Sequence, residues 1–153
     1  MSTYFLDTSA LVKRYLPEPG TRWIRGITQA QSGNDITIVQ ITPIEVYSAI
    51  SRNYHDGRLT SHVLRGFRRL LMQHLRDEYN VLMVTDTIVQ QALDLQERHR
   101  LRAYDATQLA AALALSARLA SAGRTVTFLA ADTRLLQAAS TAGLTTDNPN
   151  NYP

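Results

Sequence analysis

The stretch Tyr4-Phe5-Leu6-Asp7-Thr8-Ser9-Ala10-Leu11-Val12 decides the fold of this chain. Its first three residues form a short apolar run that is typical of a buried strand, and the residues after Asp7 favour a helix. A strand followed at once by a helix is the repeating unit of α/β proteins with parallel sheets. An acid at that junction is expected at the carboxyl edge of the sheet, where open α/β folds place their functional sites.

Three further acids stand at comparable junctions. Asp132 follows a second apolar run, Glu45 lies in the first turn of a predicted helix, and Asp105 begins an alanine-rich helix. If the strands are parallel in one sheet, Asp7 and Asp132 lie at its carboxyl edge, and the other two acids reach that edge from neighbouring helix starts. We expect such a cluster of carboxylates to require a cation.

Each acid also has a simpler explanation as part of a helix cap. Asp7 and Asp132 are suited to the N-cap position, and Thr42-Pro43-Ile44-Glu45 matches a capping box. Asp105 fits a cap least well, because the residues before it also favour a helix. The helix dipole contributes about 0.3–1 kcal/mol per acid, whereas two carboxylates about 4 Å apart repel by roughly 4 kcal/mol at an effective dielectric of about 20. Caps therefore do not explain convergence of the four acids, whereas bound Mg²⁺ or Mn²⁺ does.

Length and composition indicate an ordinary globular protein. The 153 residues, 44% of them apolar, predict a single domain over residues 1–153. Absence of cysteine excludes disulfides and thiolate metal sites, and is compatible with a reducing compartment. No apolar run approaches the roughly 18 residues of a membrane span, and no leader peptide is visible. We therefore expect a cytoplasmic protein without membrane contact.

The chain is mildly basic, with a net charge of +3 and almost all positive charge on arginine. This balance suits a polyanionic partner. Arg65, Arg68 and Arg69 form one group, interpreted as a solvated helix face in preference to a set of phosphate contacts. The other group leads directly into Asp105 and is either a solvated face or a set of RNA phosphate contacts, and it comprises Arg98, His99, Arg100 and Arg102. The tyrosines are too scattered to predict a base-stacking surface.

Strand-like and helix-like segments alternate along the chain, which predicts a parallel sheet with helices on both faces. The predicted strands are residues 4–6, 36–39, 81–84, 126–130 and 144–146. The predicted helices are one capped by Thr8 or Ser9, then residues 21–31, 43–56, 61–79, one capped by Asp86, 104–122 and 135–142. Ile44, Tyr47 and Ile50 are expected on the apolar face of the third helix. Trp23 is expected in the core, the histidines at the surface or in packing roles, and residues 147–153 as a polar surface terminus.

Four segments resemble the acidic motifs of VapC-type toxins in the PIN-domain family. In chain order they are Phe5-Leu6-Asp7-Thr8-Ser9-Ala10-Leu11-Val12-Lys13, Ile41-Thr42-Pro43-Ile44-Glu45-Val46, Leu101-Arg102-Ala103-Tyr104-Asp105-Ala106-Thr107-Gln108-Leu109-Ala110 and Phe128-Leu129-Ala130-Ala131-Asp132-Thr133-Arg134-Leu135-Leu136. One such motif is a weak signal, whereas the four together, in order across essentially the whole chain, are specific. The resemblance implies a PIN-like three-layer α/β/α sandwich with a central, mainly parallel sheet of about five strands.

The same resemblance implies a Mg²⁺-dependent ribonuclease, with Mn²⁺ as an alternative ion, acting as the toxin of a prokaryotic toxin–antitoxin pair. Its expected partners are an RNA substrate, a cognate antitoxin and a second copy of the chain in a homodimer. The family's four catalytic acids correspond to Asp7, Glu45, Asp105 and Asp132. The hydroxyl that the family often has near the metal corresponds to Thr8 or Ser9.

The chemistry of these residues agrees with that activity. Asp7 and Asp105, helped by Asp132, are expected to hold a metal ion that lowers the pKa of a bound water for attack on the phosphodiester. Glu45 is expected to orient that water, or to hold a second ion through its solvation shell. A hydroxyl of Thr8 or Ser9 either steadies a ligand carboxylate or is an ordinary helix cap.

Rival functions lack residues that they require. A response-regulator receiver needs a lysine after its last strand, but Lys13, the only lysine, lies in the first helix. A phosphatase with an aspartyl nucleophile needs a second Asp two residues after the first, where Ser9 stands. The remaining alternative is a non-catalytic nucleic-acid-binding or protein-interaction module of the same fold, whose acids serve as helix caps.

Overall fold

The computed structural model describes residues 1–152, which form five strands and seven α-helices. The strands are β1 (Thr3–Leu6), β2 (Asp35–Val39), β3 (Tyr79–Leu82), β4 (Thr127–Leu129) and β5 (Thr145–Asp147). All pair in parallel in one sheet of order β3-β2-β1-β4-β5, so that β1 is central. The predicted parallel sheet is confirmed, and its carboxyl edge brings together the ends of β1 and β4.

The helices are α1 (Thr8–Leu11), α2 (Thr21–Thr28), α3 (Thr42–His55), α4 (Ser61–Asp77), α5 (Asp86–Arg98), α6 (Ala103–Ala120) and α7 (Thr133–Thr141). They cover both faces of the sheet. One core joins α5, α6 and α7 to the sheet through Phe5 and Phe128. The other joins α1, α2, α3 and α4 through Leu6, Ile38 and Leu129. Adjacent residues of β1 serve opposite cores because successive side chains of a strand point to opposite faces. This is the predicted α/β/α sandwich.

Several element boundaries differ from the predictions. The second helix ends at Thr28 rather than residue 31, and a separate 3₁₀ turn covers Ala30–Ser32. The fourth helix ends at Asp77, since Tyr79 already pairs with Ile36 at the start of β3. Neither difference moves a strand to another place in the sheet.

The apolar face of α3 was predicted correctly at Ile50 and at the partly buried Tyr47, but wrongly at Ile44. Val46 and Ile50 are buried, whereas Ile44 is 71% exposed. Positions 46 and 50 are four residues apart and therefore share a face, from which position 44 points away. The exposed side chain of Ile44 lines the same cavity as Glu45.

A buried polar cluster ties the segment after α1 to α4 and β3. The hydroxyl of Tyr15 lies 2.9 Å from Nδ1 of His74 and 3.0 Å from the hydroxyl of Tyr79. Arg14 bonds both Tyr79 and Glu78. Burial and the charge of Arg14 lower the pKa of His74, which therefore packs as a neutral side chain near neutral pH. The packing role expected for this histidine is confirmed.

The carboxyl-terminal segment packs on the fold and is not a free terminus. Tyr152 stacks on Trp23, with ring centroids 4.1 Å apart, and its hydroxyl donates to Asp147. Gly20, at a φ of +86°, allows the close approach of this segment, because a Cβ there would lie 2.2 Å from the carbonyl oxygen of Pro149. Trp23 is thus half-buried beneath the tail; of the predicted terminus, Pro153 lies outside the described residues.

No helix within residues 1–152 is long and apolar enough to cross a membrane.

Candidate active site

Two of the acids lie at the ends of adjacent strands. Leu6 pairs with Leu129, and the backbone N–H of Asp7 donates to the carbonyl of Leu129 over 2.9 Å. Oδ2 of Asp7 accepts from the backbone N–H and the hydroxyl of Ser9, at 2.9 and 2.6 Å. After β4, Oδ1 of Asp132 accepts from two backbone N–H groups at the start of α7, at 2.8 and 3.1 Å. Both acids therefore do cap helices, as the simpler explanation predicts.

The other two acids come from the first turns of α3 and α6. The predicted capping box at Glu45 is wrong, because α3 is capped by the backbone of Ile41 alone and the hydroxyl of Thr42 bonds Gln108 instead. Asp105 lies in the first turn of α6, whose N-cap is Arg102. Helix capping thus explains the positions of Asp7 and Asp132 but not those of Glu45 and Asp105.

All four acids line one open cavity of about 570 Å³ at the carboxyl edge of the sheet. Thr8 and Ser9 line it as well. The structure therefore brings together the residues that the strand-to-helix junctions placed at this edge. Their roles as catalytic groups and metal ligands stay a prediction.

The electrostatics of the cavity favour a cation. Asp7 is 4% exposed, and burial raises its pKa to about 6, although the bonds from Ser9 lower it. The charges of Asp105 and Glu45 raise the pKa of Asp7 further. Burial and the charge of Asp132 likewise raise the pKa of Asp105, against the opposite effect of Arg102. The negative forms of Asp7 and Asp105 are therefore destabilised by their surroundings, and a nearby cation would relieve that cost.

The donor atoms suit a hard divalent ion. Asp7, Glu45 and Asp132 each accept their protein hydrogen bonds through one oxygen, namely Oδ2, Oε2 and Oδ1. Within residues 1–152 the second oxygen of each carboxylate accepts no bond, and carboxylate oxygens are the ligands that Mg²⁺ and Mn²⁺ prefer. The described residues nevertheless contain no group of three acids, histidines or cysteines already arranged around an ion position. The carboxylate oxygens are suitable ligands for Mg²⁺ or Mn²⁺. Repulsion between the negative carboxylates opposes their close approach when no cation is bound.

Hydroxyl groups beside the acids hold the carboxylates in place. The hydroxyl of Thr8 donates to Oε2 of Glu45 over 2.5 Å. The hydroxyl of Ser9 donates to Asp7 and accepts from the backbone N–H of Ala131 over 2.8 Å, which links the ends of β1 and β4. Neither residue is the cap of α1, because Asp7 has that position. Of the two alternatives, the structure therefore favours contact with a carboxylate.

Gln108 is a site residue that sequence reasoning missed. Its side chain is fully buried, and Nε2 lies within hydrogen-bond distance of Thr42, Thr8 and Glu45, at 2.9, 3.2 and 3.2 Å. The available signal was the only amide side chain of a largely apolar helix, three residues after Asp105 and hence on the same face. Gln108 joins α6 to α1 and α3 beneath the cavity.

Replacing Gln108 by Leu is expected to lower the free energy of unfolding by about 1–3 kcal/mol, because the hydroxyl of Thr42 and the carboxylate of Glu45 lose a buried donor. Urea unfolding at neutral pH measures the change. Gln137, an exposed residue of α7, provides the matched control, and Gln137→Leu should change stability by less than about 0.5 kcal/mol. Equal effects of the two substitutions would contradict a bonding role for Gln108.

The basic residues divide between the cavity and other surfaces. Arg102 lines the cavity, as does Arg52 of α3, which the sequence did not single out. Arg98 and His99 instead line a separate cavity of about 480 Å³ with residues of α5, α6 and α7, and Arg100 is exposed and lines neither cavity. Arg65, Arg68 and Arg69 lie together on the exposed surface of α4. Of the arginines Arg98, Arg100 and Arg102, for which RNA phosphate contacts were considered, the structure places only Arg102 beside the acids.

A family model for the PIN domain matches residues 4–138. This chain belongs to the PIN-domain family. The predicted family is thereby confirmed, and since PIN domains are generally nucleases that use divalent ions, the chain is placed among the hydrolases that act on nucleic acids. No curated protein matches the chain in sequence.

Solved structures share the fold of this PIN domain at low sequence identity. FitAcB from Neisseria gonorrhoeae is 17% identical with a TM-score of 0.66, and the match covers 95% of this chain and 97% of that one. VapBC2 from Rickettsia felis, bound to a DNA fragment from its promoter, is 12% identical with a TM-score of 0.62, over 95% and 98% of the two chains. A toxin–antitoxin complex from Klebsiella pneumoniae is 19% identical with a TM-score of 0.57, over 95% and 97%. At these identities the likeness shows the fold.

Proposed function

We propose that this PIN domain is a metal-dependent ribonuclease, an endonuclease that hydrolyses RNA phosphodiester bonds as the toxic component of a toxin–antitoxin pair. The observation that carries the proposal is the convergence of four acids on one cavity, with Asp7 buried and its pKa raised to about 6. Helix capping gives no reason to bury a carboxylate beside three others. A site that binds a divalent cation does, because the cation stabilises the ionised acids.

In this proposal Asp7, Asp105 and Asp132 hold a Mg²⁺ or Mn²⁺ ion. Such an ion supplies a Lewis acid for the phosphodiester and a more acidic water. Glu45 orients the attacking water through the oxygen that Thr8 and Gln108 leave free. Ser9 keeps the carboxylate of Asp7 turned towards the cavity, since its hydroxyl and its backbone N–H both donate to Oδ2.

Support for the biological partner comes from the related structures. FitAcB, VapBC2 and the Klebsiella pneumoniae complex share the fold, and the last is described as a toxin–antitoxin complex. We propose a cognate antitoxin as the partner of this chain, a homodimer as its assembly, and the prokaryotic cytoplasm as its location.

A second candidate is a non-catalytic module that binds nucleic acid or protein. It is favoured by the caps that Asp7 and Asp132 make with backbone N–H groups of their helices. The decisive experiment incubates purified protein with RNA in Mg²⁺, in Mn²⁺ and in EDTA. Cleavage that requires metal and stops with EDTA supports the ribonuclease, whereas RNA binding without cleavage under all three conditions supports the module.

Metal binding is expected to stabilise the folded protein. At a free Mg²⁺ or Mn²⁺ concentration of about 100 times Kd, the free energy of unfolding should rise by about 2.7 kcal/mol. The measurement is thermal unfolding in EDTA and in excess metal. Asp105→Asn should reduce the gain, whereas Asp86→Asn should preserve it, because Asp86 begins α5 as an exposed acid away from the cavity. An unchanged midpoint of the wild-type protein on adding metal would count against the site.

A further inference from the structure

The rim of the acidic cavity carries two large side chains that the core does not bury. Tyr104 is 57% exposed and Ile44 is 71% exposed, and both line the cavity beside Asp105 and Glu45. Single exposed apolar residues are common on protein surfaces. Here two of them stand at the entrance of a site whose other lining is largely polar, which indicates a ligand with an apolar or aromatic part.

Two guanidinium groups line the same cavity without an ionic partner. Arg52 and Arg102 are exposed and form no ion pair in residues 1–152, although five carboxylates, the four acids and Glu18, line the cavity with them. Their hydrogen-bond donors therefore remain available. Arginine's planar fork binds phosphate through two parallel bonds, which makes these residues suitable for an anionic backbone.

The geometry of α3 separates the acidic centre from Arg52. Glu45, Ser48, Ala49 and Arg52 all line the cavity, at the spacing of one helix face. Arg52 lies seven residues after Glu45, which is about 10 Å along the helix axis. The two positions between them carry small side chains, so the cavity continues along α3 from the acids towards Arg52.

We propose that Tyr104 stacks on a nucleobase next to the scissile phosphate and that Arg52 binds another phosphate further along the same strand. This inference rests on the proposed nuclease function. It assigns two substrate-positioning residues that the four acidic motifs do not include. Aromatic side chains contribute to nucleic-acid binding by stacking on bases of any type, and arginine adds charge neutralisation of the backbone.

The stacking role is tested by RNA binding, measured by fluorescence anisotropy with Ca²⁺ in place of Mg²⁺. Tyr104→Ala should weaken binding of a short single-stranded RNA by about tenfold, whereas Tyr104→Phe keeps the ring and should bind as the wild type. A series of RNAs with one abasic nucleotide each should show one position where base removal weakens binding to wild type and Tyr104→Phe. Tyr104→Ala should be insensitive at that position.

Leu93, 50% exposed on α5 and outside the cavity, provides the control for loss of exposed apolar surface. Leu93→Ala should bind every RNA as the wild type does. If Tyr104→Ala binds intact RNA as tightly as wild type, or shows the same abasic profile, the stacking role is wrong. The exposed ring would then be assigned to a protein partner.

The phosphate role of Arg52 is tested by the salt dependence of the same binding. Arg52→Gln should reduce the slope of log affinity against log salt by about one. Arg68→Gln removes an equal charge from the exposed surface of α4, away from the cavity, and should leave the slope unchanged. Equal slopes for the two variants, or an unchanged slope for Arg52→Gln, would overturn the assignment.

RNA cleavage is measured separately from binding, in Mg²⁺ and in Mn²⁺. Failure of the roles assigned to Tyr104 and Arg52 can then be distinguished from failure of the proposed nuclease function. Base-dependent binding through Tyr104 without cleavage by wild type would overturn the nuclease, and with it the position beside a scissile phosphate, and would leave Tyr104 as a base-stacking residue of a binding module. Cleavage that Tyr104→Ala and Arg52→Gln leave unchanged, together with unchanged binding, would overturn the inference and support the nuclease. Absence of any RNA binding by wild type would overturn both.

Discussion

Replacing Asp7 by Asn is expected to reduce metal-dependent RNA cleavage by more than about a hundredfold while the protein stays folded. Loss of a group that merely supports a metal ligand already costs about 10–100-fold in affinity or activity, and loss of the ligand itself should cost more. The amide has the shape of the carboxylate, and its oxygen can accept the bonds that Ser9 donates to Oδ2. The loss is therefore attributable to the missing charge and not to a missing helix cap.

Initial rates on a fixed RNA substrate in saturating Mg²⁺ measure this effect, with circular dichroism as the check on folding. Asp105→Asn should behave like Asp7→Asn, because Asp105 lines the same cavity. Asp86→Asn is the matched control and should retain full activity. Full activity of folded Asp7→Asn would remove Asp7 from the proposed metal site and would leave it only the capping role seen in the structure.

The same substitution should make the metal-free protein more stable at neutral pH. Burial raises the pKa of Asp7 from 3.8 to about 6, so the folded state holds its proton more tightly than the unfolded state. The stability that this group contributes is fully present below about pH 4 and is lost as the pH rises through 6. This rise of the pKa corresponds to roughly 3 kcal/mol of free energy of unfolding. Asparagine has no such titration, so Asp7→Asn avoids the loss.

Urea unfolding in EDTA across pH 4 to 8 tests this expectation. The difference in free energy of unfolding between Asp7→Asn and wild type should be smallest near pH 4 and should approach roughly 3 kcal/mol in favour of the variant at pH 8. Excess Mg²⁺ should reverse the order, because the wild-type site binds the ion more tightly. A difference that is independent of pH, or a wild type that is more stable at pH 8 without metal, would contradict a strained buried carboxylate.

The lower activity and the higher metal-free stability expected of Asp7→Asn describe a trade-off between function and stability at the site. A carboxylate that lowers the stability of the metal-free fold is retained where it serves a function, and residues of this kind are common in active sites. Asp132 differs from Asp7 in being partly exposed, with its Oδ1 held by backbone N–H groups at the start of α7. The gain in stability of the metal-free protein on replacing an acid by its amide is therefore expected chiefly at Asp7.

Much of the site could be predicted from the sequence because a short local segment places each of the four acids. The order of strand, acid and helix at Asp7 and Asp132 implies the carboxyl edge of a parallel sheet, and that topology alone brings the two acids to neighbouring strands. The first turn of a helix likewise places Glu45 and Asp105 near the same edge. Each inference needed only the spacing of the apolar residues along the chain and the parallel direction of the strands.

Contacts between residues distant in the chain were not predictable in the same way. Gln108 bonds Thr8 across an interval of 100 residues, and nothing in the neighbourhood of either residue indicates the pairing. The capping box at Thr42 failed for the same reason, since Gln108 bonds the hydroxyl that the local pattern assigned to the helix end. Tyr104 was overlooked because its role depends on facing the cavity, which the spacing of tyrosines does not show.

The sequence by itself determined the parallel α/β architecture and the placement of the four acids, because strand-to-helix junctions and hydrophobic periodicity are local properties of the chain. The resemblance of its four acidic motifs indicated the family. Only the tertiary structure decided that Asp7 is buried while Asp132 is partly exposed, that Gln108 supports Glu45, and that Arg52 rather than Arg98 lines the cavity. Burial, charge interactions and side-chain bonds depend on which elements pack together. They are set by the whole fold and by no single segment.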